Sequence, residues 1–214
     1  IDYEIASVKN PVRKRRHYVK VGERLPRDVS DRELKGLLKV IKKARDKAML
    51  LLMVQCGLRI SEVIHLKLSQ VQLNPEPGQL PRLRVIGKGN KERVVPLSQT
   101  CVQWLRRWLK ERPMCESDTV FVNRYGRRFF KTGIYWNLKR YCEAAGIRCT
   151  PHQLRHTFGR LLVEAGMPIT TVRELMGHAS IQTTQGYVRL SNNIVQAEYK
   201  AAMVHIAERM RGAL

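Results

Sequence analysis

Four short segments of this chain concentrate side chains able to act on a phosphate diester. Gly57-Leu58-Arg59-Ile60-Ser61-Glu62 places Arg59 just after a predicted helix end. Gly87-Lys88-Gly89-Asn90-Lys91 is a turn with Lys88 at its tip. Pro151-His152-Gln153-Leu154-Arg155-His156 opens a predicted helix, and the spacing puts His152 and Arg155 on one face. Gly177-His178 closes another helix, and Tyr187 follows within about three helical turns. Cutting a diester without a metal needs a nucleophile in line with phosphorus, stabilisation of the nonbridging oxygens and a proton for the leaving oxygen. Arginine suits the second task, because its planar fork meets phosphate oxygens bidentately and stays charged. Lysine or histidine supplies the proton.

Each group also has an ordinary reading. Taken alone, Tyr187 is a core or surface tyrosine, and His152 with Arg155 an exposed helix pair. Arg59 could cap the preceding helix through its C-terminal dipole. Lys91 lies on the same loop as Lys88 and could reach the same place. His17, His65, His156 and His205 read as structural or solvent-facing.

The elements that must position these groups follow from periodicity. Ser30 with Glu33 makes a capping box ahead of Leu34, Leu37, Leu38 and Ile41 at helical spacing. A second helix carries Ala48, Leu51, Leu52 and Gln55, ended by Gly57; Arg59 to Leu66 is a third. Val71 to Leu73 is a short strand candidate. Leu83 to Ile86 and Arg93 to Pro96 flank the glycine-rich turn as a hairpin. From Ser98 a helix carries Val102, Leu105 and Leu109, with Trp104 and Trp108 read as core. Helices follow over Lys131 to Ala145, Pro151 to Ala165, Pro168 to Met176, Ile181 to Tyr187 and Asn192 to Met210, with Gly146, Gly166 and Gly177 as C-terminal caps. In the last helix, Ile194, Ala197, Ala201, Val204 and Ala207 or Glu208 share a face. Burial of that stripe in its own chain or docking on a neighbouring subunit both fit.

Composition narrows the partners. The 214 residues are enough for one sizeable domain, and 40 Lys and Arg against 18 Asp and Glu give a net charge of +22. Such an excess destabilises a compact fold unless a polyanion neutralises it, and nucleic acid is the usual polyanion. The longest apolar stretch, Ala48 to Val54, is far short of the roughly 20 residues of a membrane span. Five cysteines without C-x-x-C spacing argue against a disulfide scaffold and for a reducing compartment. Cys142, Cys149 and His152 lie close in sequence, but no fourth ligand has zinc-motif spacing. Residues 1–29 read as a basic interdomain linker with Lys9, Arg13, Lys14, Arg15 and Arg16, either tracking a phosphate backbone or merely solvated. The start, Ile1-Asp2-Tyr3-Glu4, suggests a chain cut from a longer protein.

Taken together, five blocks resemble the signature of the tyrosine recombinase (phage integrase) family, in its Xer-like and transposon-integrase branch. They are Gly57 to Glu62, Gly87 to Arg93, His152 to Thr157, Leu175 to His178 and Thr183 to Tyr187, in the family's order. The resemblance implies a mainly α fold with a small three-stranded antiparallel sheet, a catalytic domain over residues 30–190 and a C-terminal helix over 191–214. It implies that Arg59 and Arg155 clamp the scissile phosphate, with His152 beside them as phosphate ligand and possible base. Lys88 corresponds to the acid for the leaving 5′ oxygen, His178 to a further phosphate donor and Tyr187 to the nucleophile that becomes a 3′-phosphotyrosine. Glu62 would orient or buffer the site, and Lys91 and Arg93 join the linker residues as DNA contacts. The implied reaction is site-specific recombination by a homotetramer on paired double-stranded DNA sites, through a Holliday junction, with no metal or cofactor. The implied setting is the bacterial cytoplasm, on the nucleoid. A type IB topoisomerase and a DNA-binding module with a dead site are the alternatives; the filled positions and the His178-to-Tyr187 spacing favour the recombinase.

Overall fold

A computed structural model describes residues 28–87, 92–177 and 192–211. The elements run α1 (Asp31–Val40), α2 (Ala44–Gln55), α3 (Ile60–His65), a single helical turn (Leu68–Gln70), β1 (Val71–Gln72), β2 (Arg82–Ile86), β3 (Glu92–Pro96), α4 (Gln99–Glu111), α5 (Lys131–Ala144), α6 (Pro151–Glu164), α7 (Ile169–Met176) and α8 (Asn192–Arg209). The mainly helical fold with a three-stranded antiparallel sheet is as expected; the strand order is β1-β2-β3. The predicted helix over Ile181 to Tyr187, the linker residues 1–27 and the hairpin tip lie outside the described residues.

Helix α2 is the axis of the molecule. Every residue from Asp46 to Gln55 is buried, so it is apolar around most of its circumference rather than along one stripe. It packs between α4 and α6. Its buried Asp46 is matched by Arg45 at 2.8 Å and by the Tyr141 hydroxyl at 2.8 Å. Helix α1 lies against α5, started by the expected capping box: Ser30 N donates to Glu33 Oε2 at 2.9 Å and Glu33 N donates to Ser30 Oγ at 3.3 Å. On α4, Trp108 is core, donating from Nε1 to the Val120 carbonyl at 2.9 Å. Trp104 is only half-buried, with Lys47 and Arg107 over its ring.

The hairpin pairs Leu83 with Val95, Val85 with Arg93 and Ile86 with Glu92. Leu83, Val85 and Val95 point inward, which fixes the register through the period of two.

Helix α8 packs on this body through Tyr199, Ala202, Met203, Ile206 and Met210. Tyr199 donates its hydroxyl proton to the Gln55 carbonyl at 2.9 Å. The apolar stripe singled out from the sequence is a different face: Ala197, Ala201, Val204 and Ala207 are exposed. The helix carries two apolar stripes, and the core takes the one with the larger side chains. Among the described residues, no helix is long and apolar enough to cross a membrane.

Candidate active site

Helix α6 starts where it does because Thr150 caps it. Thr150 Oγ1 accepts from Gln153 N at 3.2 Å, Gln153 Oε1 accepts from Thr150 N at 2.8 Å, and Pro151 fills the first position, where no N–H is needed. This start leaves His152 exposed and sends Arg155 inward to 3% exposure. Arg155 donates from Nη1 to the Gly57 carbonyl and from Nη2 to the Met176 carbonyl. Gly57 ends α2 with φ +62°, and a Cβ there would lie 2.5 Å from the Phe158 ring. Only glycine tolerates both conditions.

Arg59 and Glu62 are set by the start of α3. Glu62 Oε2 accepts from Arg59 N at 2.7 Å, and its Oε1 accepts from Arg59 Nη1 at 3.0 Å. Arg59 Nη2 donates to the Gly177 carbonyl at 2.9 Å. Arg59 therefore does cap a helix end, but that of α7 rather than the preceding α2. Arg93 completes the group. Its Nη1 and Nη2 each donate to Glu62 at 2.8 Å, and its Nε donates to the Leu175 carbonyl at 2.9 Å. Arg155 Nη1 lies 3.7 Å from Glu62 Oε2.

Three arginines thus cap three consecutive carbonyls, Leu175, Met176 and Gly177, at the end of α7. These are orphan acceptors at the negative end of a helix dipole, so the match is chemically sound. The charges are unequal: Arg59, Arg93 and Arg155 face the single carboxylate of Glu62. Burial pushes the Glu62 carboxyl up, but Arg93, the Arg59 N–H and Arg155 outweigh it and hold the group below its usual range. Burial, then the charge of Arg59, brings Arg155 down to about 10. His152 is also lowered, by burial, then by His156, Arg155 and Arg59. Its Nε2 is 2.9 Å from His156 Nε2, with the rings edge-on. His156, read from the sequence as structural, is therefore the immediate neighbour of His152.

Of the residues expected at the site, Arg59, Glu62, His152 and Arg155 come together. Arg93, expected to be a DNA contact, differs: its side chain is 11% exposed and its guanidinium is taken by Glu62 and Leu175. Lys9, Arg13, Lys14, Arg15, Arg16, Lys88, Lys91, His178 and Tyr187 lie outside the described residues. A cleft of about 430 Å³ opens beside Arg59, lined also by Ser61, Glu62, His65, Lys67 and Gly87.

One surface was missed by sequence reasoning. Helix α5 buries Ile134, Leu138 and Cys142, yet Trp136, on the opposite side, is 61% exposed with Arg140 4.9 Å above its ring. Tyr135, also on α5, is 44% exposed with Lys131 over its ring. The available signal was aromatic residues set off the helix's apolar period. Exposed rings under cations suit the bases and phosphates of nucleic acid.

The described fold is the tyrosine recombinase catalytic-domain fold. A crystal structure of XerA recombinase superposes with a TM-score of 0.67 at 28% identity, covering 89% of this chain and 67% of that one. That of XerH site-specific recombinase bound to palindromic difH substrate, a post-cleavage complex, gives 0.63 at 28% identity over 74% of this chain and 48% of that one. Tyrosine recombinase XerD of Lacticaseibacillus casei is 43% identical over 162 residues, 72% of this chain and 54% of that protein. The model of the phage integrase family matches residues 27–193. The chain belongs to that family, and it spans about half the length of the XerD relative.

Proposed function

We propose that this domain is the catalytic part of a site-specific DNA recombinase. It cuts and rejoins strands through a 3′-phosphotyrosine and passes through a Holliday junction. The observation that carries the reading is the excess of cation at one buried point: three arginines around one carboxylate, at the end of the helix that leads into residues 178–191. A phosphate is the anion that such forks accept. The Tyr187 oxygen attacks phosphorus while Arg59 and Arg155 hold the nonbridging oxygens. A phenol has a pKa of about 10 in water, so it needs a base and nearby cations. His152, kept neutral by its surroundings, takes the phenol proton. Lys88 protonates the departing 5′ oxygen, and His178 donates to the phosphate. The bond energy stays in the phosphotyrosine, so the reaction needs neither ATP nor metal.

The partners follow from the same reading. Double-stranded DNA neutralises the net charge of +22. Lys9, Arg13, Lys14, Arg15, Arg16 and Lys91 contact its backbone, and the aromatic face of α5 meets it too. The outward stripe of α8 is the surface offered to a neighbouring subunit in a tetramer on paired sites. Work in the bacterial cytoplasm, on the nucleoid, fits these partners.

The test is covalent capture. Full-length protein is mixed with a pool of random-sequence duplexes, and adducts that survive denaturation are recovered and sequenced. Adducts should form in excess EDTA, and Tyr187→Phe should abolish them while retaining DNA binding. Normal adducts from Tyr187→Phe, or a magnesium requirement, would sink the proposal.

A further inference from the structure

Arg93 is the second residue of β3, five positions beyond Lys88. Its backbone pairs with Val85 across the hairpin, while its side chain leaves the sheet for α7. We infer that Arg93 is a positioning residue, which locks the base of the lysine hairpin to the end of α7 so that acid and nucleophile address one phosphate. The inference rests on the roles given above to Lys88 and Tyr187.

All three guanidinium nitrogens are committed. Nη1 and Nη2 take the two oxygens of Glu62 at 2.8 Å each, and Nε takes the Leu175 carbonyl at 2.9 Å. Glu62 in turn holds Arg59 by its backbone N–H and its Nη1. One side chain therefore joins β3, α3 and α7. The fit extends to Gly177. A Cβ at that position would lie 3.0 Å from Arg93 Nη1 and 3.1 Å from its Cδ, and the backbone has φ +59°. Glycine lets the guanidinium lie against the backbone two residues past the carbonyl it bonds. From Gly177 the chain passes directly to His178, and Tyr187 is ten positions on.

The geometry explains why arginine stands here. A lysine would match the charge of Glu62 but could not span two carboxylate oxygens and a carbonyl at once. The three contacts of Arg93 all lie within the protein and join three separate elements. Its contribution is placement, and a misplacement of about 1 Å between reacting groups costs on the order of 100-fold in rate.

The experiment uses full-length Arg93→Gln and Arg93→Lys on a duplex recovered by the parent protein in the capture assay. A second version of that duplex has sulfur replacing the 5′-bridging oxygen, so its leaving group needs no proton. Single-turnover adduct formation at saturating duplex, duplex affinity and the thermal midpoint are measured. Arg93→Gln should slow adduct formation about 100-fold on normal DNA, with affinity within about threefold of the parent. On the sulfur duplex about tenfold of that loss should return, the part owed to a displaced acid. A merely structural defect gives the same proportional loss on both duplexes, because sulfur cannot mend a misfolded fraction. Equal loss on both, or cleavage at the parental rate, overturns the inference. Should Arg93→Gln fail to fold, Arg93→Lys carries the comparison, with a slower rate and the same partial recovery expected; parental rates would overturn it. If the parent protein forms no adducts at all, the recombinase reading fails instead.

Discussion

Two clusters of arginine and carboxylate occupy this domain, and Arg155 of one shifts in the opposite direction to Arg160 and Arg209 of the other. At the outer edge, Arg160 and Arg209 share Asp31 and Glu164, with Arg160 to Glu164 at 2.7 Å and Arg209 to Glu164 at 2.8 Å; Asp28 stands 3.9 Å from Arg160. Burial works against Arg160, but Glu164 and Asp31 hold its pKa above the usual value; Arg209 is raised as well, chiefly by Glu164. At the inner cluster three arginines face Glu62 as their one carboxylate among the described residues, and Arg155 is brought down to about 10. The outer cluster is satisfied by its own acids, and it fastens α8 to α1 and α6. The inner one carries positive charge that its own residues do not neutralise. Such a debt of charge inside a fold is what a bound anion would settle, which is why the inner cluster, and not the outer, reads as the place for chemistry.

The comparison can be tested from its largest consequence downward. Arg155→Gln should cut adduct formation by roughly two to three orders of magnitude, the usual effect of removing one donor to a transition-state oxyanion. Arg209→Gln should leave adduct formation on a single site within about threefold of the parent. Comparable losses in the two variants would erase the distinction. Next comes Glu62→Gln, which leaves buried Arg93 and Arg155 without their counter-charge. Urea unfolding should show a loss of about 3–5 kcal/mol. A loss near zero would mean that the inner cations are not paying a burial penalty.

The outer cluster should show its worth through pH. The folded pKa values of Asp31 and Glu164 are depressed, so their stabilisation is present above the unfolded carboxylate values and is lost as pH falls through the folded ones. These groups are partly exposed, so Arg209→Gln should cost only about 0.5–1 kcal/mol at pH 7. That difference from the parent should shrink when unfolding is repeated below pH 3. A gap that stays constant or widens in acid would show that Arg209 acts by packing. The smallest effect concerns the outward stripe of α8. Val204 is 58% exposed, and Val204→Ser should change the stability of the monomer by less than about 0.5 kcal/mol. A larger drop in the lone subunit would mean that the stripe is covered within its own chain.

Much of this was legible in the chain itself, and the remainder was hidden for definite reasons. The Ser30 and Glu33 box, the hairpin and the helix starting at Pro151 depend on neighbours within a few residues, and the structure has them where periodicity put them. Arg59, Glu62 and Arg155 stand in recognisable blocks, and the structure brings them together. Arg93 is expected as a DNA contact because it is a basic residue beside a basic turn, while the groups that take its guanidinium are 31 and 82 residues away and invisible to local pattern. For the outward stripe of α8 the sequence left burial and docking both open, and the face that packs is set by Tyr199, Met203, Ile206 and Met210. Only the fold decides that Tyr199 and Met203 turn inward while Val204 turns out.

The capping of α7 also has a consequence for synthesis. A ribosome delivers Arg59 and Arg93 long before the carbonyls they will hold, since Arg59 reaches across 118 positions to Gly177 and Arg93 across 82 to Leu175. Arg155 binds back to Gly57, 98 positions earlier, and forward to Met176 only 21 positions later. Contacts of such long range close late, after the local helices are made. The arginines therefore gain their final bearings only once α7 has been translated, shortly before Tyr187 itself leaves the ribosome. A nascent chain thus carries its basic residues well before the arginines reach their final places.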